Sequence, residues 1–238
     1  MDIYDKLNIP DECKINHTVF KKMFYESASL SKSDKDLFVD SIDKITWIYC
    51  LNQDNINIPA YTTEEREYLE IEVMEIVLSK SKGVKRIVEI IMRAIPYPML
   101  LIFNFEGQYQ LWVAHQRFNL ADNNKITLEE LICTEWLDND STLWDKLNIS
   151  NFRYTNFFDM YSDIVDAVAV FNAEKLTDKK ISGEDARELL QKKAEIDSQI
   201  AALRTELKKA TEFNRKMEIN LKIKRLEKEK TEVITNGT

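Results

Sequence analysis

Leu69-Glu70-Ile71-Glu72-Val73-Met74-Glu75-Ile76-Val77-Leu78, then Gly83-Val84-Lys85-Arg86-Ile87-Val88-Glu89-Ile90-Ile91-Met92-Arg93-Ala94-Ile95-Pro96-Tyr97-Pro98, then Met99-Leu100-Leu101-Ile102-Phe103-Asn104-Phe105: this is the stretch that decides the fold. In the first run Leu69, Ile71 and Val73 alternate with Glu70 and Glu72, the period of two that predicts a strand over 68–79. A helix starting at Thr63-Glu64-Glu65 is the competing reading. Val84, Ile87, Val88, Ile91 and Ile95 fall on one helical stripe, and Pro96 and Pro98 stop it. Met99 to Phe105 and Tyr109 to Phe118 are two strand-like runs joined at Glu106-Gly107-Gln108, where Gly107 supplies the positive φ of a tight hairpin. Strand, helix and hairpin in succession predict an α+β core with a small, mainly antiparallel sheet and flanking helices, not an alternating parallel sheet.

Working outward, Val19, Phe20, Met23 and Phe24 recur at helical spacing, and a second helix is predicted to open at Ser33 with Leu37, Phe38 and Ile42 on its apolar face. Ile45 to Leu51, aromatic and β-branched, reads as a strand. Thr127 to Leu137 offers a further strand, and Phe157 to Phe171 an amphipathic helix. The tail differs in kind. Between Glu184 and Glu232 there is no glycine or proline, and Leu189, Ile196, Ile200, Leu203, Leu207, Ala210, Met217 and Leu221 recur at mostly heptad-like spacing. The apolar phase then shifts to Ile219, Ile223 and Leu226, so the tail is either one coiled-coil helix or a hairpin broken near Thr211 to Arg215. The expected organisation is a core domain over 1–180 and a helical tail over 184–233.

Composition removes many functions. The 238 residues carry a net charge of −8, with 44% hydrophobic and 31% charged residues, which suits a chain that buries a core. The tail holds 13 basic against 11 acidic residues, leaving 20 against 30 elsewhere, so the acidity belongs to the core. Four isolated glycines cannot form a phosphate-cradling loop. Cys13, Cys50 and Cys133 have no paired spacing, and His17 and His115 no helical carboxylate partner, so no metal site is read from cysteine or histidine. Carboxylates alone remain as metal donors, and no cofactor is identified. No run is long and apolar enough for a membrane helix, and a reducing cytoplasm is the expected location.

Few residues are left to carry chemistry. Glu70, Glu72 and Glu75 are the catalytic candidates, although alternation places Glu70 and Glu72 on one solvated strand face. A restriction-type nuclease would hold magnesium with an acid and a Glu-x-Lys on adjoining strands, and the nearest lysine after Glu75 is Lys80. Arg93, His115 and Arg117, with Lys85 and Arg86, form a candidate basic patch for phosphate or nucleic acid, set against ordinary ion pairing in an acidic chain. Trp47, Tyr49, Tyr97, Phe103, Trp112 and Trp136 are expected mostly in the core rather than stacked on bases. Ile196, Ile200, Leu203, Leu207, Met217 and Leu221 are the candidate partner-binding residues.

Phe24-Tyr25-Glu26, Asp34-Lys35-x-Leu37-Phe38, Ile42-x-Lys44-Ile45-x-Trp47, Ile56-Asn57-Ile58-Pro59, Arg93-Ala94-Ile95-Pro96-Tyr97-Pro98 and the segment Glu212 to Asn220 together resemble the bacterial family known as domain of unknown function 4391. The likeness covers nearly the whole chain and assigns no activity to named residues. It implies an accessory protein encoded beside helicase and DNA methyltransferase genes of restriction-like anti-phage systems. The expected function is therefore an interaction subunit that docks a helicase or methyltransferase through its C-terminal helices, or else self-associates. The alternative is a divergent metal-dependent nuclease or other nucleic-acid-processing enzyme.

Overall fold

The computed structural model describes residues 2–27, 30–119, 122–177 and 179–236. It contains two compact units, Met1–Val168 and Ala169–Thr238. The first is built from α1 (Ile3–Leu7), β1 (Lys14–Thr18), α2 (Lys22–Ser27), α3 (Lys32–Ser41), β2 (Ile42–Asn52), α4 (Gln53–Ile56), β3 (Tyr61–Thr62), β4 (Glu67–Tyr68), β5 (Glu70–Leu78), α5 (Val84–Ala94), β6 (Met99–Phe105), β7 (Gln108–Val113), β8 (Gln116–Asn119), β9 (Asp122–Leu128), β10 (Ile132–Cys133) and α6 (Leu143–Lys146). Helix α7 (Phe157–Thr177) runs on into the second unit, which also holds α8 (Gly183–Lys209) and α9 (Phe213–Asn236).

Six strands form the main sheet in the order β1-β2-β5-β6-β7-β10, and β3-β4 and β8-β9 are separate two-stranded ribbons. The pair β5-β6 is parallel and every other pair in the main sheet is antiparallel. A parallel pair needs a crossover, and α5 is that crossover. One face of the sheet, from Ile42, Ile45, Met74, Ile76, Leu101 and Phe103, packs with Ile87, Val88 and Ile91 of α5 and with Phe24 and Phe38. Six α5 side chains are buried, each worth about 1.5–3 kcal/mol. On the other face Leu51, Ile71, Val73 and Leu100 surround a small apolar gap with Leu7, Leu147, Met160 and Ile164. The mainly antiparallel α+β reading holds, with both sheet faces covered.

Local chemistry fixes the joints. The N-cap of helix α3 lies two residues before the predicted Ser33: it is Ser31, whose Oγ accepts from Asp34 N–H at 3.1 Å while the Asp34 carboxylate accepts from Ser31 N–H. Thr63 opens a turn instead of a helix, its hydroxyl accepting from Glu65 and Arg66. The predicted hairpin is present, with Phe105 opposite Gln108 and Glu106 and Gly107 both at positive φ, the geometry of a type I′ turn. The run Tyr109 to Phe118 is broken at Ala114-His115, because Tyr161 Oη donates to the Met99 carbonyl at 2.8 Å and accepts from Ala114 N–H at 3.2 Å. That diversion sends β8 into its own ribbon. The strand predicted over 127–137 is likewise divided between β9 and β10.

In the second unit the tail is a helical hairpin. The chain reverses between Lys209 and Phe213, and Ile196 and Ile200 of α8 pack with Ile219 and Ile223 of α9, flanked by Leu203, Leu207, Leu226 and Val233.

Candidate functional site

Glu72 is the most heavily buried carboxyl group of the sheet, at 3% exposure. This overturns the expected solvated face for Glu70 and Glu72. They share a face with Met74 and Ile76, which α5 covers, so alternation gives the correct grouping but the opposite environment. Across the ladder Cys50 lies opposite Glu72 and Asn52 opposite Glu70. A register shift between Trp47 and Tyr49 brings Trp47 onto the same face as Cys50, although the two are three residues apart. Trp47 Nε1–H therefore donates to Glu72 Oε2. Cys50 Sγ–H donates to Glu70 Oε2 at 3.5 Å. One donor atom each from Cys50, Glu70 and Glu72 lies within 4.8 Å of the others.

Removing this cluster from water controls its protonation. Burial, reinforced by the charge of Glu70, pushes the Glu72 carboxyl up to about 8. Burial, with the charges of Glu72 and Glu70 added, pushes the Cys50 thiol up to about 12. Glu72 and Cys50 thus hold their protons at neutral pH, each within a hydrogen bond. Glu75, on the opposite sheet face, accepts from Asn104 Nδ2 at 3.2 Å and stands apart.

At the same end of the sheet the Pro98 carbonyl accepts from Glu72 N–H at 2.9 Å, and the phenol of adjacent Tyr97 is raised first by burial and then by Glu70 and Glu72. Tyr97 also lines a pocket of about 130 Å³ with Glu67, Pro96, Gln116, Arg117, Phe118 and Ile126. Gln116 is 4% exposed and its Nε2 has no hydrogen-bond partner. Arg117 is half-buried and forms no ion pair among the described residues. The predicted basic patch is therefore split. Arg117 lines the pocket. His115 is set among the rings of Tyr68, Phe158 and Tyr161, its Nδ1 2.8 Å from Tyr68 Oη. Arg93 is exposed in the last turn of α5, outside the pocket lining, and Arg86 is held by Asp34 at 2.8 Å. Of the aromatic set, Tyr49, Phe103 and Trp112 are buried as expected.

Over residues 7–229 the sequence matches the family described as Domain of unknown function (DUF4391). The chain belongs to that family. No curated protein and no solved structure matches it. The matched region includes the acid–thiol cluster, the pocket and nearly all of the helical hairpin. Among the described residues, no helix of this family member is long and apolar enough to cross a membrane.

The hairpin divides the six residues predicted to bind a partner. Ile196 and Ile200 are buried in the seam between α8 and α9, and Leu203 and Leu207 pack against it. Met217 and Leu221 point outward at 49% and 54% exposure, and Phe213, at 75%, extends their row. Spaced four apart, Phe213, Met217 and Leu221 form one stripe, about 200° from the seam residues Ile219 and Ile223. Exposed Lys224, Arg225 and Lys228 continue it. A separate groove of about 580 Å³ between α8 and α9 is mostly polar, and its Arg204–Glu227 and Lys230–Asp197 pairs are already satisfied.

Sequence reasoning missed Cys50, Trp47 and Gln116. The first two join Glu72 only through strand register and a bulge, which no local pattern announces. Gln116 lay between two residues singled out for their charge, and a neutral amide carries no such flag.

Proposed function

We propose that this protein is a cytoplasmic accessory subunit that docks a larger DNA-processing enzyme, a helicase of a bacterial anti-phage or restriction-like system, through its C-terminal hairpin. The observation that carries the reading is the outward stripe Phe213, Met217 and Leu221, an apolar row left over after the hairpin has filled its own seam. Three exposed large side chains in one row on a charged helix mark an interaction face. The basic continuation at Lys224, Arg225 and Lys228 selects an acidic, apolar partner surface. The class of partner is what the family resemblance implies, an accessory protein encoded beside helicase and methyltransferase genes.

The enzyme alternative is less well supported. Cys50, Glu70 and Glu72 have a thiol in the donor set, which suits zinc better than magnesium, and the strands that carry them place no lysine beside Glu72.

Co-expression of the full chain with the neighbouring helicase, followed by size-exclusion with light scattering, tests the proposal. A stoichiometric complex is expected for the parent, and Met217→Glu is expected to abolish it with unchanged helicity by circular dichroism. Absence of a parent complex, or equal recovery with Met217→Glu, overturns the assignment. A parent that instead forms a homodimer lost in Met217→Glu makes the stripe a self-association face and overturns helicase docking.

A further inference from the structure

The pocket beside Tyr97 has the features of a built site. Its volume of about 130 Å³ falls well below the roughly 300–1,000 Å³ of drug-sized ligand sites, so it suits one ring and its substituents. Gln116 Nε2 is a buried donor without an acceptor, a cost that a folded chain seldom leaves uncompensated. Arg117 in the same lining offers a planar cation that no carboxylate pairs with among the described residues, although the sequence is rich in acids. Tyr97 and Phe118 supply aromatic surface, and exposed Glu67 supplies an acceptor. A cation, two rings, a buried amide donor and a carboxylate acceptor are the groups that recognise a nucleotide: phosphate on arginine, base against an aromatic ring, base edge on glutamine and glutamate.

We propose that this pocket binds a single nucleotide unit, its base between Tyr97 and Phe118 with an acceptor on Gln116 Nε2 and an amino group on Glu67, and its phosphate on Arg117. The backbone around Gln116 is preset for this role. Its N–H donates to Tyr68 Oη at 3.2 Å, and its carbonyl accepts from Arg66 Nη1 at 3.3 Å, so the main chain is satisfied and the side-chain amide alone remains open. An amino group paired with an acceptor favours adenine or cytosine over thymine. The carboxylate of Glu67 in the lining and the acidic balance of the chain disfavour a long phosphate backbone, so the site takes one nucleotide, free or at one position of a single strand. The assignment is independent of the hairpin and of what docks there.

Fluorescence anisotropy and calorimetry on the full chain, with AMP, CMP and TMP and with six-residue oligo-dA and oligo-dT, test it. Binding of AMP or CMP at least about fivefold tighter than TMP is expected if the source is a free nucleotide. Binding confined to oligo-dA over oligo-dT identifies a strand instead. In either case Arg117→Gln is expected to weaken binding about tenfold or more and to flatten its salt dependence. Gln116→Met, checked for an unchanged melting midpoint, is expected to erase the base preference while keeping phosphate-driven binding. Should Gln116→Met fail to fold, Glu67→Gln, exposed on β4, provides the second reading of base preference. No binding to any of the five probes at millimolar concentration, or equal binding by parent and Arg117→Gln, overturns the proposal.

Discussion

At the scale of single residues, Glu72 has the clearest consequence. Its carboxyl is raised from an ordinary value of 4.5 to about 8, so the folded chain holds a proton that the unfolded chain releases. Stability then falls as pH rises between about 4.5 and about 8, by at most roughly 1.4 kcal/mol per pH unit, because the native state binds more protons over that window. Below the window both states are protonated and nothing is gained. Glu72→Gln keeps the shape and cannot ionise. Urea unfolding is expected to show a higher midpoint than the parent at pH 8 and an equal one near pH 4.5; parallel curves across that range would mean that Glu72 is ionised in the native state. Asp34 runs the other way: the Arg86 guanidinium, then the Ser31 hydroxyl, hold its carboxyl well below the usual range. Alternation of Glu70 and Glu72 with apolar residues was readable from the chain, but which face α5 would cover was not, since each face of β5 carries both apolar residues and glutamate. The pairing of Cys50 with Glu72 depends on a bulge near Ile48, and an extra residue in a strand leaves no composition signal.

At the scale of elements, the helix α5, the hairpin at Gly107 and the tail were legible because each rests on periodicity and one turn residue. The tail's use was legible only in part. A seam between two helices of one chain and a seam between two chains have the same three-and-four spacing, so Ile200 and Met217 read alike in sequence and separate only when α9 folds back on α8. The fold-back sorts their mutational effects. Leu203→Glu puts a charge against Ile219 and Ile223, where each buried side chain contributes about 1.5–3 kcal/mol, and is expected to open the hairpin. Hydrogen exchange of the full chain should then show α8 and α9 amides losing protection by about tenfold or more while β5 amides keep theirs. If α8 and α9 exchange as in the parent, Leu203 contributes little to the seam.

At the scale of the whole molecule, the outer strands of the main sheet decide how the chain meets other chains. One edge is β10, only two residues long. The other is β1, exposed throughout, carrying Lys14 and His17 and interrupted by a register shift where Asn16 takes a left-handed φ of +49°. A short edge and a charged, kinked edge both refuse an incoming strand. Flattening the second with Lys14→Val and Asn16→Val together is expected to make solutions scatter light on mild warming at concentrations where the parent stays clear; clear solutions of the double variant would show that the kink is not what protects the edge. The kink at Asn16 thus guards the chain against templated fibril growth, and it leaves helices, which cannot propagate a cross-β lattice, as the surface on which this protein can be crowded against its neighbours without polymerising.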